Sequence, residues 1–248
     1  MLAVITGASS GIGKELAYRL AEKNYDLVLV ARREDRLKEI KKDLEKHDIK
    51  INLKVYDIQN INSCEKLMSE LKDSKIDLFI NNAGFGLYGE TLEIQTSKEF
   101  DMIDLNIKSL QYLTKEVIKH METGQIINLS SMAAFLPTPF LSSYAASKAY
   151  VYSYSQALRY ELKRKKIPIN VMTVCPGPVI TEFNEVANAS PKMKGLTVKK
   201  CVDSIIKGIE KKKALVIPGL KMKILKFLLR FAPNCLVLKV SYRVQQNK

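Results

Sequence analysis

Short apolar runs alternate with longer amphipathic segments along most of this chain. Runs such as DLVLVA at 26–31 are apolar on both faces, which is typical of strands in a parallel sheet that helices cover on both sides. We therefore predict an α/β fold, built as one doubly wound parallel sheet flanked by helices on both faces. The predicted strands are 2–6, 26–31, 51–56, 77–80, 125–129, 168–174 and 214–217, and the predicted helices are 11–23, 34–47, 61–73, 97–120, 143–165 and 197–211.

Composition agrees with a cytoplasmic globular protein. The chain has 248 residues, of which 46% are hydrophobic, enough for a full core in one domain. Its four cysteines form no CxxC pair and its two histidines are isolated, so we predict neither disulfides nor a metal site. The first residues lead directly into a strand without a basic region or a cleavage site, and we therefore expect a cytoplasmic address.

The basic charge is concentrated near the C-terminus. Of the 40 lysines and arginines, 15 lie between Lys192 and Lys248, and that stretch contains only two of the 26 acidic residues, Asp203 and Glu210. The strand and helix pattern also stops after Pro218. We expect residues 1–218 to form the main domain, and 219–248 to be a basic, apolar C-terminal extension of it.

A glycine-rich turn follows the first predicted strand. TGASSGIG places Gly7, Gly11 and Gly13 where a helix begins, and such glycines permit a tight turn and a close backbone approach. Free amides at a helix start favour a pyrophosphate. The spacing is GxxxGxG and differs from GxGxxG, so a plain strand-to-helix turn is the alternative. The position as the first β-α turn favours a dinucleotide site on a Rossmann-type sheet.

The second predicted strand ends in two arginines, Arg32 and Arg33. An NAD site would carry a carboxylate there for the ribose hydroxyls, whereas guanidinium groups favour the 2′-phosphate of NADP. We therefore predict that NADP(H) is preferred over NAD(H). The alternative is that both arginines are solvated at a helix start, as we expect for Arg36.

A tyrosine and a lysine stand four residues apart in YAASK, as Tyr144 and Lys148, and Ser131 lies thirteen positions upstream. On a helix, residues i and i+4 share one face. A free tyrosine has a pKa near ~10, so neighbouring positive charge is needed to make it useful at neutral pH. We predict that Lys148, together with a cationic nicotinamide ring, lowers the pKa of Tyr144, although the same spacing also occurs on many solvated helices.

Together these motifs make the chain resemble the short-chain dehydrogenase/reductase family, in its group of roughly 250-residue members. TGASSGIG resembles the cofactor turn of that family, NNAG at 81–84 its fourth-strand motif, and PGPVIT at 176–181 its nicotinamide-side loop. The resemblance covers about 1–190. By it, the catalytic residues are expected to be Asn106, Ser131, Tyr144 and Lys148.

The resemblance implies hydride transfer between a nicotinamide and a carbonyl or alcohol substrate. Ser131 would hold the substrate oxygen, Tyr144 would donate its proton, and Asn106 would hold a water near Lys148. Ser130 is an alternative hydroxyl, but the family offset from the tyrosine selects Ser131.

The resemblance also assigns cofactor contacts. Asp57 and Ile58 would flank the adenine, and Asn82 the adjacent ribose, whereas Asn81 is expected to brace the sheet. Val179 and Thr181 would contact the carboxamide. The expected cofactor-binding residues are Gly7, Ser9, Ser10, Gly11, Ile12, Gly13, Arg32, Arg33, Asp57, Ile58, Asn82, Ala83, Gly84, Tyr144, Lys148, Pro176, Gly177, Val179 and Thr181.

Apolar residues near the expected site favour a lipophilic substrate. A substrate lid is expected near 182–200, although its apolar side chains could equally pack on the protein body. The apolar residues of the lid are Phe183, Val186, Met193 and Leu196, and those near the mouth of the site are Phe85, Leu87, Phe135, Leu136 and Phe140.

The extension at 219–248 has three interpretations. On a helical wheel its apolar residues cover more than half of the circumference, opposite Lys223, Lys226 and Arg230, and it is too short to span a bilayer. It can pack on the body or on a second subunit, attach peripherally to an anionic inner membrane surface, or bind nucleic acid. The last is not expected, because stacking aromatics and a binding motif are missing.

The sequence therefore predicts an NADP(H)-dependent carbonyl reductase or alcohol dehydrogenase. The family habit of pairing subunits through the helices after Asn106 and around Tyr144 implies a homodimer or homotetramer. The alternative is an inactive scaffold that senses NADPH, possibly at a membrane surface. The intact Ser131, Tyr144 and Lys148 argue against that alternative.

Overall fold

The computed structural model describes residues 1–183 and 195–246. Within them, seven parallel strands form one sheet with the order β3-β2-β1-β4-β5-β6-β7. Every neighbouring pair is parallel, as strands that are apolar on both faces require. The strands are β1 (Leu2–Thr6), β2 (Asp26–Ala31), β3 (Ile51–Val55), β4 (Leu78–Asn81), β5 (Gly124–Leu129), β6 (Ile169–Val174) and β7 (Leu215–Val216).

Helices cover both faces of this sheet and thereby confirm the predicted fold. The predicted helix at 97–120 is divided, because a wider π-helical turn at Asp104–Ser109 separates α4 from α5. A 3₁₀ turn, Met132–Phe135, follows β5. The α-helices are α1 (Gly11–Ala21), α2 (Glu34–Leu44), α3 (Ile61–Leu71), α4 (Thr96–Ile103), α5 (Leu110–His120), α6 (Ser142–Arg164), α7 (Val198–Glu210), α8 (Leu220–Leu228) and α9 (Asn234–Gln246).

Two hydrophobic layers form the core, one on each face of the sheet. Ile5 and Leu29 point into the layer that α1, α2 and α7 cover. The neighbouring residues Val4 and Val28 point into the layer of α3, α5 and α6. Alternate side chains of one strand therefore enter opposite layers, which explains why the strands are apolar throughout.

The strand order reverses at β1, which pairs with β2 on one side and with β4 on the other. Ligands of doubly wound sheets bind at such a switch point, beyond the carboxyl ends of the strands. The glycine turn after β1, the NNAG segment after β4, Ser131 after β5 and the PGPVIT segment after β6 all lie at this edge.

The two C-terminal helices lie on the body with much of their apolar surface exposed. Helix α8 has no buried residue. Met222 and Lys226 on this helix, and Leu229 directly after it, are half-buried. The expected basic stripe is therefore split, because Lys226 points toward the body while Lys223 and Arg230 are exposed. Within residues 1–183 and 195–246, no helix has the length and apolarity needed to cross a membrane.

Candidate active site

Ser131, Tyr144 and Lys148 come from two neighbouring segments beyond β5. Ser131 begins the 3₁₀ turn that follows this strand, and its hydroxyl oxygen accepts a hydrogen bond from the Ala133 amide at 3.1 Å. Tyr144 lies in the first turn of α6 and Lys148 one turn later. The Lys148 ammonium nitrogen is 5.8 Å from the centre of the Tyr144 ring. The helix thus places both side chains on one face, as the spacing predicted.

Lys148 is held in the protein interior with 5% of its surface exposed. Its Nζ donates a hydrogen bond to the Leu129 carbonyl oxygen at 3.1 Å, and burial lowers its pKa to about 8. The hydroxyl of Ser130 donates to the backbone carbonyl of Lys148 at 2.7 Å and is buried. Ser130 is therefore engaged in holding α6, which leaves Ser131 as the hydroxyl beside Tyr144.

The protein groups around Tyr144 raise its pKa. Burial raises the pKa of Tyr144 to about 12, and the hydrogen bond with Ser131 lowers it only in part. Burial outweighs any influence of Lys148, because the ammonium donates to Leu129 and lies over the ring face rather than at the phenol oxygen. The protein groups alone therefore do not lower this pKa, and the phenol is protonated at neutral pH.

Asn106 lies in the π-helical turn and is completely buried. Its amide nitrogen donates to the Phe85 carbonyl oxygen at 2.9 Å and to the Ser147 hydroxyl at 3.1 Å, and its amide oxygen accepts from the Phe85 amide at 3.2 Å. A Cβ on Gly84 would lie 2.8 Å from that oxygen and 3.2 Å from the Lys148 Nζ. Asn106 thus fixes the segment after β4 against α6.

The glycine turn depends on backbone that only glycine provides easily. Gly7 and Gly11 have positive φ angles of 65° and 54°. A Cβ on Gly13 would overlap the carbonyl oxygen of Gly7, so only glycine lets α1 begin this close to β1. Ser10 precedes α1, and its side chain makes no capping bond to the first turn. The α1 amides are therefore not capped by that side chain.

Asn82 fastens the glycine turn to β4. Its amide nitrogen donates to the carbonyl oxygens of Thr6 and Gly7 at 3.0 Å and 3.1 Å. The backbone amides of Asn82 and Ala83 donate to the Thr6 hydroxyl. Asn81 bridges β4 to Thr114 and Asn128, as expected of a brace in the sheet. Asn82 therefore positions the turn, a role that we had not assigned to it.

Arg33 lies over the serines of the glycine turn. Its guanidinium donates to the Ser9 hydroxyl at 3.0 Å and to the Ser10 hydroxyl at 2.8 Å. Glu182 accepts from Arg33 at 3.0 Å and from Arg36 at 2.6 Å, and these arginines lower the pKa of its carboxyl group. Arg33 and Arg36 therefore form a cationic site that holds an anionic group beside the turn.

The remaining expected residues on the adenine side are divided between solvent and core. Arg32 is 67% exposed, with its guanidinium 3.5 Å from Asp57. Ile58 is buried among the side chains of the α3 layer, and its carbonyl accepts a hydrogen bond from the Cys64 thiol. Ile12 packs against the opposite layer. Of the two arginines after β2, only Arg33 reaches the glycine turn.

The PGPVIT segment crosses in front of the glycine turn. The Thr181 methyl group would lie 3.2 Å from a Cβ on Gly11. Val179 forms a parallel bridge with Leu196, and the Pro176 carbonyl accepts from the Met132 amide at 2.8 Å. The Gly177 backbone is covered by Met222 of α8. The loop thus joins the glycine turn, the catalytic strand end and the C-terminal helices.

One aromatic side chain contacts Tyr144, and three others, centred on Phe140, pack together. Phe183 packs against Tyr144 with ring centres 5.4 Å apart, and Phe140 lies 5.7 Å from Tyr88 and 5.3 Å from Tyr242. Leu196 of the expected lid packs instead on Gly219 at the start of α8. Val186 and Met193, also expected in the lid, lie outside the described residues.

Sequence reasoning missed several residues around the site. Arg36, which we expected to be solvated, shares Glu182 with Arg33. The Tyr88 hydroxyl donates to the Gln245 carbonyl and so connects α9 to the aromatic group around Phe140. The available signal for Arg36 was its position three residues after Arg33, on the first turn of α2. Nothing local in the sequence indicated Glu182 or Gln245, because their partners are more than 140 residues away.

Comparison with known proteins identifies the family of the chain. Residues 1–192 match the family model described as short chain dehydrogenase. The chain is 33% identical over 189 residues to sulfoacetaldehyde reductase 2 of Chromohalobacter salexigens, which covers 73% of this chain and 74% of that protein.

Two solved structures share both fold and sequence with the chain. A short-chain dehydrogenase from Sphingobium yanoikuyae in complex with NADPH has a TM-score of 0.83 and 31% identity, covering 88% of each chain. A bulky-bulky ketone specific alcohol dehydrogenase from Comamonas testosteroni has a TM-score of 0.78 and 30% identity, covering 88% of this chain and 86% of the other. The strand order, the order of motifs and these matches agree, and the chain therefore belongs to the short-chain dehydrogenase/reductase family of oxidoreductases.

Proposed function

We propose that this protein is an NADP(H)-dependent oxidoreductase that transfers a hydride between the nicotinamide and a lipophilic carbonyl or secondary alcohol substrate. The observation that carries the proposal is the placement of Ser131 and Tyr144 beside the buried ammonium of Lys148, at the same sheet edge as the glycine turn. A hydrogen-bonding hydroxyl, a protonated phenol and a cation form a site for proton transfer to an oxygen.

The residues around the glycine turn fit a dinucleotide with a 2′-phosphate. The α1 amides suit a pyrophosphate, since Ser10 does not cap them. Arg33 is fixed by Ser9 and Ser10, and with Arg36 it already holds the carboxylate of Glu182. The same pair of guanidinium groups would serve a phosphate dianion. NADPH, when bound, would supply the hydride.

The protein groups supply the proton and orient the substrate. Ser131 would donate its hydroxyl hydrogen to the substrate oxygen, so the carbonyl is polarised before reduction. Tyr144 would release its proton to the developing alkoxide. Lys148 would stabilise the resulting tyrosinate, because its ammonium lies 5.8 Å from the ring centre in a site that excludes water.

The pKa of Tyr144 favours the reductive direction. Because burial raises this pKa to about 12, the phenol is protonated at neutral pH and is ready to give its proton to a carbonyl substrate. Alcohol oxidation needs tyrosinate instead. We propose carbonyl reduction as the main direction, because NADPH is usually held reduced, and we expect oxidation to become faster as the pH rises.

An apolar rim supports a lipophilic substrate. Phe183 contacts Tyr144 itself, and Phe140 is the centre of an aromatic group with Tyr88 and Tyr242. The ketone specificity named for the Comamonas relative agrees with this, whereas that of the sulfoacetaldehyde reductase does not.

NADPH oxidation over a carbonyl panel tests the proposal. The panel extends from short aldehydes to long-chain and steroid ketones, with NADH in parallel. Tyr144→Phe should reduce kcat by about 100-fold or more, because the general acid is lost. Tyr160→Phe is the matched control, since this tyrosine lies on the same helix and is 65% exposed.

The result of the panel also decides between the enzyme and its alternative. Turnover that Tyr144→Phe removes and Tyr160→Phe preserves supports the enzyme. Tight NADPH binding without turnover of any carbonyl would favour an NADPH sensor and would overturn the proposed reaction. Turnover that survives in Tyr144→Phe would remove Tyr144 from its catalytic role.

We also propose a homodimer or homotetramer that pairs through α5 and α6. The outer face of α6 carries small residues at helical spacing, and Tyr160 extends from the same face. Small side chains allow two helices to approach closely. The exposed residues of this face are Ser142, Ala146, Ser153, Ala157 and Tyr160.

A further inference from the structure

Helices α8 and α9 present an apolar surface to solvent that an ordinary surface helix would bury. Leu220, Phe227 and Phe231 are 71%, 60% and 72% exposed. Exposed apolar side chains also occur along α9, so they are more numerous here than the scattered ones of typical soluble proteins. We call this the C-terminal surface, and its apolar residues are Leu220, Ile224, Leu225, Phe227, Leu228, Phe231, Leu236, Leu238, Val240, Tyr242 and Val244.

The residues of the two helices that face the protein body explain why so many apolar side chains are exposed. Helix α9 buries Val237, Ser241 and Gln245, two of which are polar. Helix α8 turns Lys226 toward the Phe135 ring, with its ammonium 5.2 Å from the ring centre. Each helix therefore turns both polar and apolar side chains toward the body and leaves many apolar side chains exposed, so neither has the single inward apolar face of an ordinary surface helix.

The charge of this region identifies the partner. After Glu210 the chain contains no aspartate or glutamate, whereas Lys221, Lys223, Arg230 and Lys239 accompany the apolar residues. A second copy of the chain seated on the same surface would bring two cationic faces together, which costs free energy. An anionic lipid surface offers both an apolar interior and an opposite charge.

The C-terminal surface also lies next to the opening of the candidate site. Met222 covers Gly177 in the PGPVIT loop. On α9, Tyr242 packs on Phe140, and the Gln245 carbonyl accepts from the Tyr88 hydroxyl. The helices that carry the surface thus form one side of the aromatic rim near Tyr144.

We propose that the C-terminal surface docks onto an anionic lipid bilayer, lying in its interface, and turns the mouth of the active site toward the lipid. The apolar side chains enter the interface and the lysines contact the lipid phosphates. The second part rests on the proposed function: a lipophilic carbonyl substrate dissolved in the bilayer would reach the rim without crossing water.

Co-sedimentation with lipid vesicles tests docking on the full chain. Vesicles that mix phosphatidylcholine with phosphatidylglycerol should bind the protein, pure phosphatidylcholine should bind it weakly, and added salt should weaken binding. The triple variant Lys221→Glu, Lys223→Glu, Arg230→Glu should lower the partition coefficient on the order of 100-fold. Its matched control, Lys41→Glu, Lys42→Glu, Lys46→Glu, makes the same charge change at exposed positions of the α2 region.

A second variant separates apolar insertion from charge alone. Phe227→Ser with Phe231→Ser removes an edge-to-face pair whose ring centres are 5.4 Å apart, and it leaves the net charge unchanged. Docking predicts weaker vesicle binding at every salt concentration. Equal binding to neutral and anionic vesicles, or equal loss in the α2 control, would overturn the proposal.

The same samples distinguish a second copy as the occupant. If light scattering shows an oligomer that Phe227→Ser with Phe231→Ser converts to monomers, and vesicles bind neither form, the C-terminal surface is a subunit interface and the proposal is wrong. Turnover of a water-soluble aldehyde should be unchanged in both variants. The vesicle assay requires no turnover, so it tests docking independently of the NADPH assay, which tests the proposed reaction. Either proposal can therefore fail without the other.

Discussion

Lys148 carries a charge that its surroundings oppose. Burial lowers its pKa from 10.5 to about 8, so below pH ~8 the ammonium is charged in the folded and the unfolded protein alike, and its burial costs about 3 kcal/mol of stability. Between the two pKa values the unfolded chain binds more protons, and stability rises with pH. We infer that a lysine that destabilises the fold beside Tyr144, the proposed proton donor, is present for its function.

Lys148→Met should therefore stabilise the protein near neutral pH. We expect a gain of up to about 3 kcal/mol, less about 1 kcal/mol for the lost hydrogen bond to Leu129. The gain should shrink as the pH rises through the window from about 8 to 10.5. Urea unfolding at several pH values measures this, with Lys163→Met, an exposed lysine of α6, as control. Equal pH slopes for wild type and Lys148→Met would contradict the argument.

Arg33 should determine the choice between NADPH and NADH. Because its guanidinium is fixed by Ser9 and Ser10, we expect Arg33→Ala to lower kcat/KM with NADPH by about 10- to 100-fold and to change kcat/KM with NADH little. Arg32→Ala, at a mostly exposed position, is the control and should have a smaller effect. Steady-state kinetics with both cofactors measure the ratio. A loss that is equal for the two cofactors would assign Arg33 a structural role.

At the scale of elements, the sequence predicted the sheet well because its signals are local. Apart from the edge strand β3, whose sequence INLKV includes Asn52 and Lys54, the strands from β1 to β6 are mainly apolar runs, and the helices that follow have apolar stripes of their own. The break at Asp104–Ser109 could not be predicted, because the apolar spacing continues across it and only the tertiary contacts of Asn106 require the wider turn.

The site was predicted as a set of residues, whereas its electrostatics were not. Tyr144, Lys148 and Ser131 were identified from spacing and motif. The pKa of Tyr144 depends on burial, which is a property of the folded molecule, and the spacing of Tyr144 and Lys148 therefore could not give the effect of the protein alone on this pKa. Glu182 illustrates the same limit, because its pairing with Arg33 and Arg36 spans the whole domain.

At the scale of the whole molecule, two exposed surfaces need partners of different kinds. The outer face of α6 is uncharged along its small residues, whereas the C-terminal surface is basic. The first suits a second copy of the chain, since small side chains allow close helix packing. The second suits an anionic surface. The two faces allow an oligomer and a lipid contact to form together.

If the chain pairs through α6 as we propose, bulky charges on this helix should separate the subunits. Ser153→Arg with Ala157→Arg places two guanidinium groups on the proposed interface, and like charges from two subunits would then meet. Light scattering coupled to gel filtration should show conversion to monomers. Asn62→Arg with Ser69→Arg, at exposed positions of α3, adds the same charge and should leave the oligomer intact. An unchanged mass in the α6 variant would place the subunit contact elsewhere.

The wide turn at Asp104–Ser109 has a consequence for interpreting related chains. Such a turn contains one residue more than a regular helix needs, and deleting one residue there would rejoin α4 and α5 as a continuous helix. The shortened helix would be better hydrogen-bonded, but Asn106 would rotate away from Phe85. A relative that keeps every motif and lacks one residue in this segment would thus be expected to fold and to be inactive. Counting residues between motifs is therefore as informative there as identifying them.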